Sequence, residues 1–267
     1  MRSEVNDIQI HWRESGRGEA VLFIHGFPFH GGQWDDQIDR LPMRWRLLAP
    51  DLRGFGRTDL GPGSGPLEMD LFADDLAGFL DALGIERAVV CGLSMGGYIA
   101  FALWRWHRER VRALVLCNTR AGADTEEGRA ARRAQAGRVE QEGVASLANE
   151  MLPKLLSERT RAERPDVVEK VRSMIEATPA QTIVHALDGL ADRLDSTELL
   201  PTIDVPTLVI GGSEDRITPP SELEFLANAI PDARLKMIEG AGHLTNLEAP
   251  AEFNLALVHF LEALGGH

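Results

Sequence analysis

Cysteine is scarce: Cys91 and Cys117 are the only two in 267 residues. That excludes a disulfide framework, and neither stands in a Cys/His cluster with zinc spacing. Each closes an apolar run, Ala88-Val89-Val90-Cys91 and Ala113-Leu114-Val115-Leu116-Cys117, which reads as a buried free thiol acting as a small hydrophobe. Lysine is rarer than arginine by far, with Lys154, Lys170 and Lys236 alone among 28 basic residues. Against them stand 41 acidic residues, for a formal net charge of −13. Such a surface repels nucleic acid and anionic membranes, so neither is expected as a partner. No run approaches the roughly 18 apolar residues of a membrane helix. The first seven residues, Met1-Arg2-Ser3-Glu4-Val5-Asn6-Asp7, lack the apolar region of a signal peptide. A cytoplasmic protein is expected. What remains is ordinary globular material, 44% hydrophobic and 26% charged, long enough for one large domain or one domain with an insertion.

Short apolar runs alternate with longer helical patterns. Ile8, Ile10 and Trp12 alternate with polar residues, as in a half-buried strand. The continuous runs Val21–Ile24, Leu47–Ala49, Val89–Cys91, Leu114–Leu116, Leu208–Ile210 and Leu235–Ile238 suit strands buried on both faces of a parallel sheet. Between them, Leu71, Leu76, Phe79, Leu80 and Leu83 form one helical face closed by Gly84. Ile99, Ala100, Leu103 and Trp104 form another, and Phe253, Leu257, Phe260, Leu261 and Leu264 a third. Strands separated by such helices predict an α/β fold with a mostly parallel central sheet flanked by helices. The alternation breaks between Thr119 and Pro201, where Arg, Glu and Ala dominate and Glu126–Glu142, Val144–Leu156 and Pro165–Ala177 read as helices. This stretch is expected to be a helical insertion into one sheet.

Four loops carry chemistry. Gly92-Leu93-Ser94-Met95-Gly96-Gly97 follows one strand and precedes a helix, the setting of a nucleophile elbow. Small residues permit the tight turn that presents the Ser94 hydroxyl. His25-Gly26-Phe27-Pro28 directly follows Val21–Ile24, where a loop can donate a second backbone N–H to an oxyanion. The N–H groups of Phe27 and Met95 are therefore the expected oxyanion hole. His25 is expected to tie its own loop by a side-chain hydrogen bond. Gly240-Ala241-Gly242-His243 follows Leu235–Ile238 and puts His243 on a short loop as the candidate general base. His11 lies in a strand pattern, and His30, His107, His185, His259 and His267 lie in helical or terminal segments, so each is expected to be a surface or packing histidine. After Leu208–Ile210 come Glu214 and Asp215, competing for the carboxylate that orients the imidazole. Asp215 is favoured. The other position for an acid, after Ala113–Cys117, holds Asn118. No cofactor or metal is expected.

With these loops in the order Ser94, Asp215, His243, the chain resembles the α/β-hydrolase superfamily along nearly all its length. Asp51-Leu52-Arg53-Gly54-Phe55-Gly56-Arg57-Thr58 resembles the family's D-x-R-G-x-G-x-S loop, with Thr58 in place of the usual serine. The stretches 92–97 and 116–119 resemble the branch of small serine esterases and 3-oxoadipate enol-lactonases. The resemblance implies a catalytic triad of Ser94, Asp215 and His243, and a cap where the insertion stands. The expected division is core over residues 1–118, helical cap over 119–200, and core again over 201–267. Haloalkane dehalogenases and epoxide hydrolases of the family use an aspartate where Ser94 stands, which sets both aside. Serine leaves carboxylesterase, enol-lactonase, C–C hydrolase, perhydrolase and hydroxynitrile-lyase chemistry open, and fold alone does not choose among them. The expectation is a carboxylesterase acting on a small-molecule ester, with a lactone as the second choice. A hydrolase fold that senses a ligand with little turnover stands behind both.

Overall fold

In the computed structural model, residues 1–63 and 65–265 are described. His267 lies outside them. The strands are β1 (Arg2–Val5), β2 (Ile8–Ser15), β3 (Glu19–Ile24), β4 (Trp45–Pro50), β5 (Ala88–Leu93), β6 (Val111–Cys117), β7 (Thr207–Gly212) and β8 (Ala233–Ile238). Each apolar run lies in one of them. β1 has no apolar run because Val5 alone among its residues is buried. The sheet order is β1-β2-β4-β3-β5-β6-β7-β8. β2 pairs antiparallel with β1 and β4, and every pairing from β4 to β8 is parallel. Residues of β5 and β7 are buried throughout, as continuous apolar strands should be. β8 departs from that expectation. Among the described residues it pairs only with β7, and it leaves Leu235 39% exposed. Exposed Arg234 and Lys236 beside it put charge on this free edge, a feature that disfavours pairing with another chain.

The helices are α1 (Asp35–Arg40), α2 (Met69–Ala82), α3 (Met95–His107), α4 (Glu126–Glu142), α5 (Val144–Leu155), α6 (Glu158–Glu163), α7 (Pro165–Glu176), α8 (Ala180–Ala191), α9 (Pro220–Ala229), α10 (Thr245–Glu248) and α11 (Pro250–Leu264). The sequence suggests one apolar face on α3. The fold buries every residue from Met95 to Trp104, because this helix packs against α2 as well as the sheet. None of the described helices is long and apolar enough to cross a membrane.

Helices α4 to α8 all fall between β6 and β7. The patterns at Glu126, Val144 and Pro165 become α4, α5 and α7, the last two ending one residue earlier than read. α8 was legible from Ile183, Leu187 and Leu190 at helical spacing, all of them buried. The two ends of this segment are tied together. Buried Asp124 pairs with Arg193 at 2.7 Å, with Arg120, and with Arg132 on α4. Burial alone would raise the Asp124 pKa, but the arginines overcome this and hold it at about 2. The segment also touches the core loops: Thr178 Oγ1 donates to Pro28 O at 2.7 Å, and Thr182 Oγ1 to Gly54 O at 2.9 Å.

Because β3, β5, β6, β7 and β8 are parallel, the residues after Ile24, Leu93, Cys117, Gly212 and Ile238 emerge at one edge of the sheet. In open α/β sheets that carboxyl edge is where ligands bind.

Candidate active site

Ser94 connects β5 to α3 with φ 55° and ψ −111°, a conformation that costs of order 1–3 kcal/mol for a residue with a side chain. The turn closes only because its neighbours are glycines. A Cβ on Gly92 would lie 2.2 Å from Gly96 O, and one on Gly96 would lie 2.2 Å from Ile24 O. The end of β6 holds the elbow on both sides: Ser94 N donates to Cys117 O at 2.9 Å, and Ser94 O accepts from Thr119 Oγ1 at 2.9 Å. Met95 begins α3, so its N–H has no partner within the helix.

The loop after β3 lies against the serine. A Cβ on Gly26 would sit 3.5 Å from Ser94 Cβ. Gly26 N donates to Gln33 Oε1 at 2.8 Å, and the Phe27 N–H finds no acceptor among the described residues. His25 ties the loop as its position suggested. Its Nε2 accepts from Leu52 N at 3.1 Å, which leaves the proton on Nδ1, 3.0 Å from Gly26 O. Full burial pushes its pKa down to about 4.

An unfolded imidazole takes up a proton below about pH 6.5, while folded His25 refuses it until about pH 4. Stability should therefore fall as pH drops through that window, by about 3 kcal/mol in all. His25→Asn keeps one donor and one acceptor but cannot titrate. Urea titrations between pH 7.5 and 4 should show the parent losing about 3 kcal/mol more than the variant. Parallel losses in both proteins would refute this.

His243, 2% exposed, sits on the loop after β8 and points Nδ1 at Asp215 Oδ2, 2.8 Å away. Asp215 is 4% exposed. Its Oδ2 also accepts from Asn118 Nδ2 at 2.9 Å, and its Oδ1 from Ile217 N at 2.8 Å and Thr218 N at 2.9 Å. Burial alone would raise the Asp215 pKa. The adjacent His243, Thr218 N–H and Asn118 outweigh it and keep the carboxylate ionised. Glu214 is exposed, and its backbone N–H donates to Ala241 O at 2.9 Å. Of the two candidate acids, Asp215 is the one in contact with His243. Ser94 is joined to this pair through the end of β6; its hydroxyl has no hydrogen bond of its own among the described residues.

That junction was not foreseen. Asn118, set aside in the sequence as a non-acid, has φ 45° and donates from Nδ2 to both Asp215 and Gly242 O, the latter at 3.3 Å. Its Oδ1 accepts from Thr245 Oγ1 at 2.7 Å. A second brace joins the loops from below: Asn246 Nδ2 donates to Gln33 O at 2.9 Å, and Gln33 holds Gly26. The signal for Asn118 was its place directly after a buried strand at the carboxyl edge. Gln33 and Asn246 had none. Cys91 and Cys117 are both buried free thiols. Among the described residues, no group of three or more His, Cys, Asp or Glu side chains is arranged to hold a metal ion.

Comparison with known proteins follows the same outline. A family model described as alpha/beta hydrolase fold matches residues 19–250. The chain is 40% identical to a thermophilic esterase from Thermogutta terrifontis, solved with malate bound, with a TM-score of 0.95 and 99% of each chain covered. It is 29% identical to an enol-lactonase from Burkholderia xenovorans LB400, with a TM-score of 0.90, covering 98% of this chain and 100% of the other. It is 30% identical to 3-oxoadipate enol-lactonase 1 of Acinetobacter baylyi over 257 residues, 96% of this chain and 93% of the relative.

Proposed function

Since the chain belongs to the alpha/beta hydrolase fold family and is a hydrolase, we propose that it cleaves small carboxylic esters through an acyl-enzyme on Ser94. The observation that carries the reading is the strained Ser94 elbow, held by the same strand end that braces the buried Asp215–His243 pair. Backbone strain of this kind gathers at functional sites. In the first step Ser94 Oγ bonds to the ester carbonyl carbon and its proton passes to His243 Nε2. Asp215, bonded to Nδ1, leaves Nε2 as the accepting nitrogen and stabilises the imidazolium. The N–H groups of Phe27 and Met95 receive the oxyanion, where one donor is worth about 3–4 kcal/mol. The C–O bond to the alcohol then breaks and His243 returns the proton to it. Water, deprotonated by His243, attacks the acyl carbon; the bond from that carbon to Ser94 Oγ then breaks, His243 returns the proton to Oγ, and the acid leaves.

An organophosphonate fluoride should label the protein once, on Ser94, and stop turnover. Labelling elsewhere, or turnover that survives labelling of Ser94, would overturn the proposal. The 40%-identical esterase supports esters as the first substrate class. Likeness to 3-oxoadipate enol-lactonase 1 over 96% of the chain favours enol-lactones as the second. Both use the same acyl-enzyme and differ in the pocket, so kcat/KM across a panel of acyl esters and lactones decides between them.

We further propose that residues 119–200 act as a cap that sets acyl preference. Leu152 and Leu155 are buried on α5, Met151 partly so, and Leu155 O accepts from His243 N at 2.9 Å. α5 therefore ends against the base. One methylene in an apolar pocket is worth about 1–3 kcal/mol. At least one of Met151→Ala, Leu152→Ala and Leu155→Ala should shift the preferred acyl length in kcat/KM. Unchanged preference in all three, with stability retained, would count against α5 as the pocket wall.

A further inference from the structure

A carboxylate outside the mechanism above holds the loop that carries His243. Glu248 ends α10, and its side chain turns back along the loop. Its Oε1 accepts from Gly242 N at 3.0 Å and Leu244 N at 3.3 Å, the two residues flanking His243. Its Oε2 accepts from Ser157 N at 2.9 Å, just beyond α5 and 91 residues away in sequence. His243 N donates to Leu155 O, on the same turn of the inserted segment. Three consecutive N–H groups, those of residues 242–244, are thus divided between Glu248 and the end of α5. The fit leaves no room: a Cβ on Gly242 would lie 2.7 Å from Ser157 N, 3.0 Å from Glu248 Oε1 and 3.1 Å from Leu155 O.

We propose that Glu248 is a positioning residue that fastens the His243 loop and, through Ser157, sets the inserted helices in register over the base. Hydrogen bonds from backbone N–H to an ionised carboxylate are roughly twice as strong as neutral ones. The direction of the His243 ring follows the backbone at residues 242–244. Lifting the end of α5 would remove the partner of His243 N and one partner of Glu248 together. The positions of the inserted segment and of the base are therefore coupled. This rests on His243 being the base.

The test separates the two arms of the clasp. Gln at 248 can turn its oxygen to Gly242 and Leu244, while its amino group then faces the Ser157 N–H; Ala loses both arms. Pro at 157 removes the N–H. Ser157 has φ −59° and Leu156 before it is extended at ψ 141°, so the backbone angles accept proline, whose Cδ takes the place of the N–H and displaces Glu248 Oε2 from it. Ser157→Ala is the control, because both changes remove the hydroxyl that caps Thr160 N and only proline also removes the N–H that meets Glu248. Measured separately on a short and a long acyl ester, kcat should fall about 10- to 100-fold in Glu248→Ala, the scale of a small misplacement of a catalytic group. Glu248→Gln should recover kcat to within about threefold. It should share with Ser157→Pro a change in KM and acyl preference that Ser157→Ala lacks. The double variant E248Q/S157P should be no worse than the more affected single one, as for two changes to one bond.

An unimpaired Glu248→Ala beside an inactive His243→Ala would overturn this proposal alone. Activity surviving in His243→Ala would overturn the base assignment, and this proposal with it. Should Glu248→Ala fail to fold, Glu248→Gln and Ser157→Pro decide: behaviour identical to Ser157→Ala in both would refute the clasp.

Discussion

Replacing Ser94 with alanine is expected to lower kcat by about six orders of magnitude, the scale seen when a serine nucleophile is removed. The fold should be retained. The bonds that hold residue 94 use its backbone, Ser94 N to Cys117 O and Thr119 Oγ1 to Ser94 O, and neither needs the hydroxyl. The glycines that permit the turn, Gly92 and Gly96, stay in place. Alanine removes one small oxygen and nothing that packs. Ester hydrolysis and thermal melting of the purified variant check both halves of this expectation. Hydrolysis within about tenfold of the parent would remove Ser94 from the mechanism, since losing a true nucleophile costs far more.

Asp215→Asn is expected to cost about four orders of magnitude in kcat, the scale of forcing a catalytic imidazole into the wrong tautomer. The geometry explains why. Oδ1 of Asp215 accepts two backbone N–H groups, from Ile217 and Thr218. An amide would keep its oxygen there and turn its amino group toward His243 Nδ1 and Asn118 Nδ2. Nδ1 would then have to accept, the proton would move to Nε2, and Nε2 could no longer take the serine proton. Asn118 Nδ2 would face a donor where it now meets Asp215 Oδ2 at 2.9 Å. Glu214 is exposed, so Glu214→Gln should stay within about threefold, as a surface change away from the chemistry should. Steady-state kinetics on both variants settles the choice of acid. Greater damage in the Glu214 variant would reverse it.

The parallel core of the sheet was legible because its strands are short apolar runs buried on both faces, the pattern of a parallel sheet covered by helices. β8 was legible as a strand but not as an edge, since Leu235 and Met237 look the same in a sequence whether or not another strand covers them. α4, α5 and α7 were legible to within one residue at their ends. The tight turn at Ser94 was legible for a steric reason: a turn that tight excludes side chains at its neighbours, and the excluded side chains appear as glycines.

The sequence by itself determined that the candidate groups each follow a strand. A strand, a turn and a helix are local events, written in contiguous residues. The tertiary structure decided which groups meet. It put Asp215 rather than its neighbour Glu214 against His243, bonded Asn118 to Asp215 across 97 residues, and brought Glu248 to Ser157 across 91. These are side-chain bonds between segments distant in the chain. Their partners are chosen by strand order and by the packing of the inserted helices. No local pattern of residues encodes that choice, because a buried amide or carboxylate reads the same in sequence whatever it faces once the sheet has formed.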